Sequence, residues 1–192
     1  MLDRNSDDDP YGPIAFLEGP ASRRPPGAAA DGPSRRTQPA RKVALTEPAE
    51  SVMTDFTWKT PITVAVDRFI DDALSDMIIA GVRALLVVRG EVVVGLITSY
   101  DIQGDRPAQF QNGSGFTSHS DIEVGHIMTP WEAVPTLDVP WVSLATVGDV
   151  VERFQRRGDS HFLVVEYVEQ GGAFVRGMFS RTDVQRQLGP TI

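Results

Sequence analysis

Two stretches of this sequence carry residue types at a spacing that could do chemistry. They are Gly95-Leu-Ile-Thr98-Ser-Tyr-Asp101 and Gly177-Met-Phe-Ser180-Arg-Thr-Asp183. In each, a hydroxyl side chain stands three residues before a carboxylate, where an apolar strand-like run gives way to a helix. A carboxylate is a natural acceptor for the two hydroxyls of a vicinal diol. A helix start supplies free N–H groups and the positive end of the helix dipole, which suits an anion. The same spacing has a plainer use: Ser or Thr three residues before an acid is a capping box, whose loss costs ~1 kcal/mol. Spacing alone leaves both uses open.

Little else offers catalysis. The histidines, His119, His126 and His161, have no metal-ligand spacing and no acid paired with them on a shared face. A phosphate loop of the Gly-x-x-x-x-Gly-Lys type is absent, and the chain has no cysteine. The chain therefore reads as a protein that is not an enzyme and takes no metal. Its net charge is −8, carried by the body rather than the N-terminal part, so the body repels a phosphate backbone. No run approaches ~18 apolar residues, and the start has no signal-peptide layout. The expectation is a cytoplasmic protein with neither nucleic acid nor membrane as partner.

The elements that must position the two motifs occur twice. Residues 1–48 hold eight of the fourteen prolines and the pairs Arg23-Arg24 and Arg35-Arg36, a composition that reads as a disordered tail. Within it, Tyr11–Leu17 is a small apolar island that could dock on a partner or on the body. The first repeat, 49–106, opens with Val52-Met53-Thr54 and an extended Pro61–Val64. An amphipathic helix follows, with Phe69, Ile70, Ala73, Leu74, Met77 and Ile78 at helical spacing, closed by Gly81. Two strands, Leu85–Val88 and Val92–Ile97, flank a turn at Arg89-Gly90-Glu91. After a linker at 107–122, the second repeat, 123–190, restates this order from Ile127-Met128-Thr129-Pro130 through Gly158 to Asp183. The offset grows from 75 at Met53/Met128 to 82 at Gly95/Gly177, and most of the growth falls in the second hairpin, where an insertion disturbs no core.

These residues resemble the tandem CBS domain pair, or Bateman module. The resemblance rests on the Met-Thr openings, on Gly81–Val88 with Gly158–Val165, and on Gly95–Asp101 with Gly177–Asp183. It implies an α/β (α+β) fold: two tandem β-α-β-β-α repeats packed about a pseudo-twofold axis, here preceded by the disordered proline-rich tail. Members commonly have proline where Leu86 and Leu163 stand, and leucine restores a backbone N–H at both places.

The resemblance also implies a function, a regulatory module that binds an adenosine-containing nucleotide in clefts between the repeats. AMP, ADP or ATP is the expected ligand. By position, Asp101 and Asp183 would take the ribose hydroxyls, and Thr98 and Ser180 with their helix starts would meet phosphate. Arg181, His161 and Arg83 are further phosphate candidates, and Ile62 and Val64 fit the strand that contacts adenine. The expected partners are a second copy in a homodimer and an effector protein that the sequence does not name. The competing reading is a ligand-free dimerisation scaffold that recruits a protein.

Overall fold

The computed structural model describes residues 14–16, 42–114, 118–168 and 172–189. The first elements in chain order are β1 (Ile14–Phe16), β2 (Thr54–Asp55), β3 (Thr63–Ala65), α1 (Ile70–Ala80), β4 (Ala84–Arg89) and β5 (Val92–Thr98). Then come α2 (Ser99–Gln103), α3 (Arg106–Ser114), α4 (Val124–Ile127), β6 (Thr129–Pro130) and β7 (Thr136–Asp138). The chain finishes with α5 (Val139–Leu144), α6 (Val147–Arg157), β8 (His161–Val168), β9 (Gly172–Ser180) and α7 (Arg181–Leu188). They form two compact units. The first is built chiefly from Pro61–Val134, and the second from 42–60, Pro135–Tyr167 and 174–189. The first contains the β-α-β-β-α run β3-α1-β4-β5-α2, and the second the same order with one added helix, β7-α5-α6-β8-β9-α7.

In the first unit the sheet order is β3-β4-β5-β6. β3 and β4 are parallel, and β4 and β5 form a hairpin whose Gly90 has φ 64°, a left-handed turn that favours glycine. Ile70, Ala73 and Met77 of α1 are buried against Leu85, Val87 and Ile97 of the sheet. Gly81, at φ 68°, closes the helix by donating its N–H to Ile78 O and Met77 O. Two residues expected on the apolar stripe are not on it. Phe69 is the extended N-cap residue, and Ile78, 72% exposed, is turned ~100° past Met77 and off the buried face. Leu86 donates its N–H to Ile62 O at 3.0–3.1 Å, as Leu163 does to Pro135 O, bonds that a proline could not make.

In the second unit the sheet order is β9-β8-β7, and β2 pairs with β9. Its core joins Val147, Val150 and Phe154 of α6 to Leu137, Phe162, Val164, Phe179 and Val184. Phe154 and Phe162 pack with ring centroids 4.6 Å apart. Asp138 caps α5 by accepting from Trp141 N at 3.1 Å, and Pro140 sits in that helix's first turn, where its missing N–H is harmless.

Two further features lie outside these runs. The stretch between them holds a helix: α3 occupies Arg106–Ser114, with Pro107 as its second residue, after α2 has ended at Gly104. The folded part also begins earlier than residue 49, since Val43 is buried and donates its N–H to Gln187 O at 3.0 Å. Of the remaining tail, Ile14–Phe16 from the apolar island forms β1, and the other tail residues lie outside those described.

The Met-Thr openings and the motif glycines turn out to be one contact. A Cβ on Gly95 would lie 2.4 Å from Thr129 O and 3.0 Å from Met128 Sδ. A Cβ on Gly177 would lie 2.6 Å from Thr54 O and 3.1 Å from Met53 Sδ. Glycine is therefore required where β6 crosses β5 and where β2 crosses β9. The pairing is exchanged: the opening of the first sequence repeat belongs to the second unit, and the reverse holds for the opening of the second.

Asp55 fastens β2 in place. Its Oδ1 accepts from Thr57 N at 2.8 Å and Thr57 Oγ1 at 2.6 Å, and its Oδ2 from Arg176 Nη2 at 3.3 Å. Partial burial pushes the carboxyl up, but the bonds from Thr57 and Arg176 together outweigh it and hold the group below its ordinary value. A depressed folded-state value means that the stabilisation is complete above the unfolded value of about 3.9. It is lost as pH falls through the lower folded value. Urea midpoints measured from pH 6 to pH 2.5 should therefore fall in the acid range, and Asp55→Asn should flatten part of that fall.

Candidate functional site

The two motifs share a spacing and differ in what their side chains do. In the first unit Thr98 is the N-cap of α2 and the capping box is closed. Asp101 Oδ2 accepts from Thr98 N and from Thr98 Oγ1, both at 2.8 Å, and Asp101 N donates back to Thr98 Oγ1 at 3.2 Å. The other oxygen, Oδ1, lies 3.2 Å from Arg106 Nη1. Only 13% of the Asp101 side chain is exposed. Thr146 and Asp149 at the head of α6 make the same box, and the bonds from Thr146 hold the Asp149 carboxyl below its ordinary value. A purely structural Thr-x-x-Asp thus has this geometry.

Ser180 and Asp183 do not. Ser180 is the N-cap of α7 but makes no side-chain cap bond. Asp183 Oδ1 accepts from Arg186 Nη2 at 2.7 Å, and among the described residues no bond to Oδ2 is present. The Asp183 side chain is 40% exposed, and its arginine partner 68%. An exposed i,i+3 pair of this kind is worth well under ~1 kcal/mol and yields readily to a ligand. The head of α7 accordingly presents a hydroxyl and a carboxylate that local structure does not consume.

The remaining candidates divide. Ile62 keeps an exposed side chain just before β3, whereas Val64, between exposed Thr63 and Ala65 in the strand, is turned into the core of the first unit. Val64 can offer a ligand only backbone groups. Arg83 is exposed and reaches Tyr100 Oη at 3.4 Å. Arg181 is committed elsewhere: its Nη2 donates to Phe154 O at 2.6 Å, and the guanidinium lies 5.5 Å from the Phe154 ring centroid. It walls a cavity of about 130 Å³ between α6 and α7, floored by Val151, Phe154 and Val184. His161 is 5% exposed at the start of β8, its Nδ1 2.9 Å from Ser160 Oγ, so the role of open phosphate contact does not suit it.

Sequence reasoning passed over Arg106, whose Nη1 also donates to Ile127 O at 2.8 Å and Thr129 Oγ1 at 3.2 Å. With Phe110, stacked on His126 at 4.5 Å, it fixes α3 beside α4 and β6. A groove of about 390 Å³ runs past Arg106, Phe110, His126 and Met128. The available signal was a lone basic residue immediately before Pro107, at what proves to be a helix start. Among the described residues no three His, Asp or Glu side chains are grouped to hold a metal, and no helix is long and apolar enough to cross a membrane.

The family model described as CBS domain matches residues 49–104 and 124–189. No curated protein matches the chain. Among solved structures, the chain is similar to an uncharacterized conserved protein from Pyrococcus horikoshii. That match has 23% identity and a TM-score of 0.54, covering 78% of this chain and 98% of that one. A conserved CBS domain protein of unknown function from Thermoplasma acidophilum matches at 20% identity and TM-score 0.53, over 74% and 69% of the two chains. The CBS domain of a bacterial CNNM/CorC family Mg2+ transporter, solved in complex with ATP, matches at 15% identity and TM-score 0.50, over 75% and 88%.

Proposed function

The chain belongs to the CBS domain family, carrying two such domains in tandem, and from that premise we propose that it is a regulatory module binding an adenosine-containing nucleotide. The observation that carries this reading is the head of α7. Of three hydroxyl-x-x-Asp sequences at α-helix starts among the described residues, two close into capping boxes, and the third, Ser180–Asp183, leaves its hydroxyl and one carboxylate oxygen uncommitted. Those are the groups that a ribose diol and a phosphate require. On this reading Asp183 takes the ribose and Ser180 with the α7 start takes phosphate. Ile62, Val64 through its backbone, Thr98, Asp101 and Arg83 form the corresponding constellation in the first unit. AMP, ADP or ATP is the proposed ligand, consistent with the ATP complex of the transporter domain.

The proposed role is sensing rather than catalysis, in the cytoplasm, by a homodimer that passes its state to an effector protein. A ligand does this only if it binds one arrangement of the module more tightly than another. The closed box at Thr98–Asp101 favours a second reading, a ligand-free dimerisation scaffold in which these motifs serve only as caps. The thermal unfolding midpoint against AMP, ADP, ATP, NAD and S-adenosylmethionine separates the two. A ligand at ~100 times its dissociation constant adds ~2.7 kcal/mol, a shift of several degrees for a chain of this size. No shift with any of the five would leave the scaffold standing.

A further inference from the structure

We propose that the cavity between α6 and α7 binds a small aliphatic monocarboxylate, of about the size of butyrate, held by Arg181. The grounds begin with a guanidinium that the fold uses only in part. Phe154 stands one turn before the Gly158 cap of α6, and its carbonyl accepts from Gly158 N at 3.1 Å and from Arg181 Nη2 at 2.6 Å. Closing that helix end accounts for Nη2. It does not account for Nε, which is buried and has no hydrogen-bond partner among the described residues. Nor does any carboxylate among them pair with Arg181. A buried N–H on a cation is costly to leave unmade, and an anionic oxygen is its strongest acceptor. The first unit offers no such group, since Ser99 opens α2 where Arg181 opens α7.

The rest of the cavity selects the rest of the ligand. Its volume is about 130 Å³, against ~150 Å³ for an apolar cavity that holds benzene, so its occupant has about five or six non-hydrogen atoms. A nucleotide is far too large. Val151, Phe154 and Val184 supply an apolar floor, against which inorganic phosphate would lose its hydration without return. A plain hydrocarbon would suit the floor and leave Nε unmet. A short-chain carboxylate meets both demands, one oxygen accepting from Nε and the alkyl chain covering the floor. The site is also separate from the groups proposed for nucleotide. Each residue of α7 turns ~100°, so Arg181, Val184 and Gln185 share the face that lines the cavity, and Asp183 points to the other side.

Titration of the full chain with sodium butyrate at about pH 7, where the acid is ionised, tests the site by nuclear magnetic resonance. The Arg181 Nε–H signal and the methyl signals of Val151 and Val184 should move together and saturate. Butanol keeps the alkyl chain and lacks the charge, and should bind at least about 10-fold more weakly, the worth of one charge-assisted hydrogen bond. Acetate is two methylenes shorter and should also lose about 10-fold. Phosphate should not compete. Arg181→Met should weaken butyrate at least about 10-fold. Val151→Phe fills the cavity while leaving Arg181 in place, and should abolish binding. Circular dichroism establishes that both variants are folded, and the ligand series on the wild type decides the matter without them. Butyrate that moves none of these signals at tens of millimolar overturns the site and leaves Nε to water. Butanol binding as well as butyrate, displacement by phosphate, or an Arg181→Met protein with wild-type affinity overturns it equally.

Discussion

Asp183→Ala will abolish nucleotide-dependent stabilisation while leaving the protein folded. The substitution removes the acceptor proposed for two ribose hydroxyls, and hydrogen bonds to a charged group contribute about 1.5–3 kcal/mol each. Losing both weakens binding by at least about 100-fold. At a ligand concentration that saturates the wild type, the thermal midpoint of the variant should not move. The structural penalty is small, because Asp183 closes no capping box and, among the described residues, its carboxylate bonds only to the exposed Arg186. In the absence of nucleotide the midpoint should therefore stay within a few degrees of wild type. The scaffold reading expects the reverse pattern, with no ligand response in either protein. A response to AMP, ADP or ATP that survives Asp183→Ala would move the ribose acceptor elsewhere and remove the basis for reading the α7 head as a site.

The largest effect on stability belongs to a residue that touches no proposed ligand. Gly177→Ala places a methyl group 2.6 Å from Thr54 O and close to the Met53 sulfur. The opposing atom is a backbone carbonyl, held by the pairing of β2 with β9 and by the bond from Phe56 N to Arg176 O at 2.9 Å. It cannot swing aside as a side chain would. Overpacking of this kind costs about 3 kcal/mol when backbone must shift. A loss of that size lowers the melting temperature by roughly 10 °C in a chain of this length. Gly95→Ala should act similarly through Thr129 O. Gly113→Ala is the control: it lies within α3 with open space around the new methyl, and should be neutral or slightly stabilising. If Gly177→Ala melted with the wild type, the close crossing of β2 over β9 would be wrong.

Much of the fold could be read from local pattern because local pattern is what determined it. Gly81 and Gly158 end helices in the left-handed conformation at the positions their spacing implied, and the extra residues of the second repeat fall in the β8–β9 hairpin. What escaped was either weakly patterned or non-local. α3 has the sequence Arg-Pro-Ala-Gln-Phe-Gln-Asn-Gly-Ser, with too little apolar periodicity to announce a helix. It is anchored instead by Arg106 and by one aromatic stack on His126. β2 and β6 are two-residue strands whose partners are far along the chain, so no window of sequence records the exchange between repeats. The candidate site shows the limit most sharply. Thr98-x-x-Asp101 and Ser180-x-x-Asp183 obey one spacing rule, yet only the first closes a cap. The difference includes partners such as Arg106, which arrives from a neighbouring helix. Val64 and Ile62 differ for a simpler reason: two residues apart, they diverge because regular alternation begins only at Thr63.

The exchanged openings also set a timetable for synthesis. The sheet of the first unit is complete once β6 at Thr129–Pro130 has emerged, since β3, β4 and β5 all precede it. β2, made earlier than any of these, must wait until Met178 is translated before Thr54 has its partner, an interval of 124 positions. At ~5–20 residues per second that is a delay of roughly 6 to 25 s. During it, Thr54 has no sheet to join, and the core around Val52 and Met53 is complete only once β9 follows α5 and α6. The nascent chain therefore folds from the middle outwards. A ribosome that stops before β9 leaves a finished first unit flanked by an adhesive, unpaired segment, a state in which chaperone binding would be most useful.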